Sequence, residues 1–113
     1  MAVFWKGHTV AKFHHLGVVS RAKHPGETYL EGGKDYVTAP SKHPYGFEYL
    51  RFEADSPLPK EVRTMTHIAF EVPIVDAALK GEKVVLAPFD ATPDLRVAFI
   101  MKDGVLVELA QKK

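Results

Sequence analysis

The chain has 113 residues, 46% of them hydrophobic and 26% charged, with a formal net charge of +1 and no cysteine. That composition suits one soluble globular domain rather than two, and it excludes disulfides and thiolate metal sites while fitting a reducing compartment. Lys and Arg are scattered without a basic run, and no apolar run approaches a membrane span, so a cytoplasmic protein without nucleic-acid or membrane partners is expected.

The predicted elements follow in order. Phe4 and Trp5 precede any clear pattern and are expected to cover the core or a subunit contact. Residues 12–20 alternate, with Phe13, His15, Gly17 and Val19 on one side and His14, Leu16 and Val18 on the other, as in a strand covered on both faces. The spacing then predicts a turn or two of helix over Glu27–Glu31, ended by Gly32-Gly33. His8 and His24 read as surface residues, and His24-Pro25-Gly26 as a turn. Lys34–Ala39 reads as a short strand, Pro40–Pro44 as a loop and Tyr45–Ala54 as an aromatic-rich strand.

The segment DSPLPKEVR, from Asp55 to Arg63, is linker-like. After it come a strand over Thr66–Val72, a short helix over Val75–Lys80 stopped by Gly81, and strands over Lys83–Pro88, Leu95–Lys102 and Val105–Ala110. Asp103-Gly104 between the last two is a hairpin turn. This order of strand, helix and three strands recurs in the first half, with one strand weak or missing between Gly33 and Pro44. One domain of two modules results, the first over about 11–55, a linker over 56–63 and the second over 64–111.

The modules share a motif. His15-Leu16-Gly17-Val18 aligns with His67-Ile68-Ala69-Phe70 as histidine, branched aliphatic, small residue and apolar residue. Period-two alternation puts His67, Ala69 and Glu71 on one face and Ile68, Phe70 and Val72 on the other, where a helix would pack. Glu108 shares a face with Leu106 and Ala110 in an otherwise apolar strand, and Glu48 sits in a similar setting. A buried carboxylate needs a cation, a donor or water. His15, Glu48, His67 and Glu108 together form a nitrogen-and-oxygen set suited to a divalent ion such as zinc, nickel, manganese or iron(II).

Rivals remain within that set. His14 competes with His15 but falls on the opposite face, and Glu53, beside Asp55, competes with Glu48. Arg96, alternating with Ala98 and Ile100, is a candidate for an anionic substrate or for the surface. His43 and Tyr45 lie in a proline-flanked loop that is a candidate lid.

The stretch FHHLGVVS, the join at 62–72 with VPIVDAAL after it, and the ending FIMKDGVLVELAQ resemble the vicinal oxygen chelate superfamily. That group includes glyoxalase I, bleomycin-resistance proteins, methylmalonyl-CoA epimerase and extradiol dioxygenases. The resemblance covers most of the chain and implies an α+β fold, in which two βαβββ modules form a cupped mixed sheet around a metal, the first module shortened here. It implies His15, Glu48, His67 and Glu108 as ligands, with 33 residues from His15 to Glu48 and 41 from His67 to Glu108.

The chemistry implied is a metal holding two neighbouring oxygens of a small-molecule substrate and stabilising an enediolate-like anion, with Glu108 or Glu48 as the base. A glyoxalase-type lyase, isomerase or epimerase is the first expectation. A metal-free ligand-binding protein of the bleomycin-resistance kind and an iron(II) ring-cleaving dioxygenase are the alternatives, and a fourth ligand argues against the dioxygenase. Single-domain members pair, so a homodimer is expected.

Overall fold

Nine strands and two short α-helices organise residues 2–5 and 8–113, which the computed structural model describes, with side chains described from Ala11 onward. The expectations for Phe4, Trp5 and His8 concern side chains outside that range. The first half holds β1 (Ala2–Trp5), β2 (His8–Val19), β3 (Thr28–Leu30), β4 (Asp35–Val37) and β5 (Phe47–Phe52), with a 3-10 turn at Pro40–Lys42. The second holds β6 (His67–Glu71), α2 (Val75–Ala78), β7 (Lys83–Thr92), β8 (Leu95–Lys102) and β9 (Val105–Lys112), and α1 (Lys60–Thr64) lies between the halves.

The strands form one mixed, curled sheet in the order β3-β4-β5-β2-β6-β9-β8-β7, with β1 paired to β2. Each half sets its last strand parallel beside the strand that carries its histidine motif: β5 along β2 and β9 along β6. The two motif strands, β2 and β6, pair antiparallel at the centre. The sheet ends on strands poorly suited to further pairing, since β3 has three residues and β7 carries Pro88 and three register shifts. Asp103 and Gly104 take φ of 53° and 80°, the two positive values of the tight hairpin turn that the sequence predicted.

One expectation is corrected. The first half lacks its helix rather than a strand, because Glu27–Glu31 contributes β3 in place of a helical turn. Thr28 and Tyr29 favour extended backbone, and cross-strand partners hold them there. Tyr29 faces Tyr36 with ring centroids 4.9 Å apart, and Arg51 lies 4.1 Å over the Tyr36 ring. Arg51 also donates to both Glu27 carboxylate oxygens, at 2.8 and 3.0 Å.

Burial separates the two faces of the second half. On the outer face α2 lays Val75, Ala78 and Leu79 against Ala98, Ile100 and Leu109. The Gln111 side-chain oxygen accepts from the Val75 N–H at 2.9 Å and so terminates that helix from β9. On the inner face Val62 of α1 packs with Phe99 and Leu106, and Leu58 joins them. The presumed linker is therefore partly core, since Val62 is buried.

Candidate metal centre

The central pairing decides what the inner face can hold. In register, His15 of β2 stands opposite Ala69 of β6, and His67 of β6 stands opposite Gly17 of β2. Continuing outward, Glu108 flanks Ala69 on β9, and Glu48 flanks Gly17 on β5. Two adjacent rows cross the sheet, Glu48-Gly17-His67 and His15-Ala69-Glu108, each with a small residue in its middle. The four side chains His15, Glu48, His67 and Glu108 meet over those small residues.

Gly17 is required by contact rather than by backbone conformation. A Cβ there would lie 2.0 to 2.5 Å from atoms of the His67 imidazole, so the ring occupies the space a side chain would take. The histidine-x-small motif thus has a mechanical cause. Antiparallel pairing brings each histidine over the small residue that follows the other one.

One ligand atom from each of His15, Glu48, His67 and Glu108 lies within 4.8 Å of the others. His15 Nε2 is 3.3 Å from Glu48 Oε1 and 3.4 Å from Glu108 Oε1, and His67 Nε2 is 3.0 Å from Glu108 Oε1. Two donors each about 2.1 Å from one ion stand about 3.0 Å apart at a right angle and about 3.4 Å apart at the tetrahedral angle. These three separations match those edges. Both Nε2 atoms, like His67 Nδ1, are also buried without a hydrogen-bond partner among the described residues, and for the two Nε2 atoms, which face the carboxylates, this is costly unless their lone pairs meet a cation. The donor set fits a divalent ion.

Charge coupling inside the cluster is strong. Burial pulls the His15 pKa down, but the carboxylates of Glu108 and Glu48 outweigh it and raise the value to about 10. Burial pushes Glu108 the other way, and the two imidazoles overcome it, holding that carboxyl well below its usual range. Glu108 is pinned between both histidines. Among the described residues Glu48 pairs with His15 alone, and its side chain is 17% exposed against 8% for Glu108.

His14 belongs here as well, against the alternation reading. A register shift between Phe13 and His15 inserts an extra residue into β2, which brings His14 Nδ1 to 2.7 Å from His15 Nδ1 and puts His14 on the cavity wall. Burial, followed by the charge of His15, lowers the His14 pKa. His14 is therefore the neutral acceptor and His15 Nδ1–H the donor, which leaves His15 Nε2 facing the carboxylates.

The cluster opens into a cavity of about 620 Å³ with largely apolar walls that include Leu50, Phe52, Leu58, Val62 and Phe99. Several sequence candidates lie elsewhere. Arg96 shares the outer face with Ala98 and Ile100, as its alternation required, and donates to Asp76 of α2 in two bonds of 3.1 Å. His43 stacks on Phe47 at 4.4 Å, on the side of β5 opposite Glu48, and Tyr45 is 76% exposed. Neither lines the cavity, because β5 turns Phe47 and Tyr49 outward and the loop before it follows them. Glu53 is exposed, and Glu71 lies 3.7 Å from Lys112.

Sequence reasoning missed Asp35, a cavity-lining carboxyl only 4% exposed, and the wall residues Leu58 and Val62. No protein-family model matches the chain, and no curated protein matches it. No helix among the described residues is long and apolar enough to cross a membrane.

Proposed function

We propose that the chain is a metal-dependent lyase or isomerase of the glyoxalase type, acting on a small molecule with two neighbouring oxygens, and that its curled sheet is a glyoxalase/bleomycin-resistance fold with a helix-free first module. The observation that carries this reading is the convergence of His15, Glu48, His67 and Glu108 within 4.8 Å, with His15, Glu48 and Glu108 on the wall of a cavity. A divalent ion held there would supply positive charge where an anion develops on the substrate oxygens.

The chain's own groups divide the remaining work. Glu48 is the base, because it is the more open carboxylate and touches one imidazole, so it can turn to take a proton from carbon. Glu108, held by both histidines, keeps the site's geometry. His14 fixes the tautomer of His15. The apolar walls limit water around the reacting carbon.

The test is deuterium uptake from D2O, followed by NMR, at the carbon next to the carbonyl. The chain is loaded in turn with zinc, nickel, manganese or iron(II) and offered α-hydroxy ketones, methylglyoxal with a thiol, or acyl-CoA epimers. Ion-dependent exchange that is lost in Glu48→Gln is expected. No exchange with any ion would remove the proposal. A metal-free ligand-binding protein is the second reading, favoured by the size and apolarity of the cavity. The chain is also proposed to pair as a homodimer, and a monomer at micromolar concentration in sedimentation would contradict that.

A further inference from the structure

The far wall of the cavity carries chemistry that the four-residue cluster does not use. Asp35 opens β4 in register with Phe52 of β5 and is 4% exposed on an apolar wall. Among the described residues its carboxyl meets only its own backbone N–H. The other cavity carboxylates all face a cation or an imidazole: Glu48 and Glu108 face His15, and Asp90 lies 3.0 Å from Lys113. No Lys or Arg is among the residues that line the cavity.

The position is built rather than incidental. A Cβ at Gly33 would lie 2.5 Å from Asp35 Oδ1 and 3.0 Å from the Leu58 side chain, so the missing side chain leaves room for the carboxyl. Burying a carboxyl without a donor costs stability. The cost is recovered when a bound molecule brings the donor. The same wall, free of Lys and Arg, offers nothing to a carboxylate, phosphate or sulfonate.

Resting on the metal reading above, we infer that the cavity takes a largely apolar molecule whose head is a non-anionic hydrogen-bond donor, an ammonium above all, received by Asp35 while its neighbouring oxygens face the His15, Glu48, His67 and Glu108 cluster. An anionic head would meet no Lys or Arg on this wall, and Arg96, the one residue that sequence offered for such a group, lies on the outer face bonded to Asp76.

Benzohydroxamates test this directly, since the hydroxamate presents two adjacent oxygens and the ring fills an apolar space. The zinc-loaded full chain is titrated calorimetrically at about pH 8 with the 4-aminomethyl, 4-methyl and 4-carboxy compounds. The aminomethyl compound should bind roughly tenfold tighter than the methyl one, and the carboxy compound roughly tenfold weaker. In Asp35→Asn that spread should fall to about threefold or less, with retained zinc content as the check on folding. A carboxy compound that binds as well as the others, or a spread unchanged in Asp35→Asn, overturns the inference and leaves the metal reading standing.

If the chain takes up no zinc, the metal reading fails alone, and the inference is then decided on the chelator-treated chain with benzylamine, benzyl alcohol and benzoate, followed by NMR. Preference for the amine that disappears in Asp35→Asn supports it. Equal binding, or preference for benzoate, overturns it.

Discussion

The two halves of the sheet build the same inner face and different outer ones. In the second half α2 covers β8 and β9 with Val75, Ala78 and Leu79. In the first half no α-helix is present among the described residues, and β5 instead turns Phe47 and Tyr49 outward to be covered by imidazoles, His43 stacked on Phe47 at 4.4 Å and His24 on Tyr49 at 4.0 Å. Yet the inner rows Glu48-Gly17-His67 and His15-Ala69-Glu108 match position for position. The site therefore depends on strand register and small residues. The helix is one of two ways to dry the outer face.

The comparison is broken most severely at Gly17. Gly17→Ala puts a methyl inside the His67 ring, which should cost about 1 to 3 kcal/mol in urea denaturation and displace one ligand of the proposed ion. The matching change in the other half, Ala69→Gly, should cost about 1 kcal/mol or less and leave ion binding intact. Equal effects at the two positions would mean that the rows are not equivalent in the way described.

Asp35 gives an effect of similar size, and it depends on pH. Burial, followed by the charge of Glu48 and then that of Glu108, raises its pKa from 3.8 to about 6. The folded state thus holds this proton more tightly than the unfolded chain does. Asp35's own contribution to stability is fullest below about pH 4, falls as pH rises from 4 to 6, and above that is lower by about 2 to 3 kcal/mol. Asp35→Asn lacks this titration, so its stability relative to wild type should rise across the same window in urea midpoints. A flat difference would contradict the burial argument.

Smaller effects sharpen the picture. His14→Phe removes the acceptor that fixes His15 and should weaken zinc binding by roughly tenfold, with His15 tautomers mixed in nitrogen NMR. Arg96→Ala breaks a solvent-screened pair with Asp76 and should leave the urea midpoint nearly unchanged, with zinc binding unaffected.

Much of this was legible in residue alternation. His67, Ala69 and Glu108 lie on regular strands, where period two fixes the face, and the Asp103-Gly104 turn sets the β8 and β9 register. Where regularity fails, so does the reading. His14 reaches the site through an inserted residue that single-strand alternation cannot anticipate. The helix expected at Glu27–Glu31 lost to tertiary partners, Tyr36 and Arg51, that are distant in sequence. Arg96 was readable in principle, since it shares a face with Ala98 and Ile100, while Phe99 pairs with Glu108 on the inner one. Asp35 left no signal of its own, because its isolation is a property of the assembled wall.

The central claim is that the two modules place four ligands around one ion. Equilibrium titration with zinc, read by calorimetry and elemental analysis on the wild type, His67→Ala and Glu108→Ala, tests it most directly. The account predicts one ion per chain for the wild type and an affinity at least roughly a hundredfold weaker in both variants, whose folding is checked by circular dichroism. A wild type that takes up no divalent ion, or variants that bind it equally well, would contradict the account.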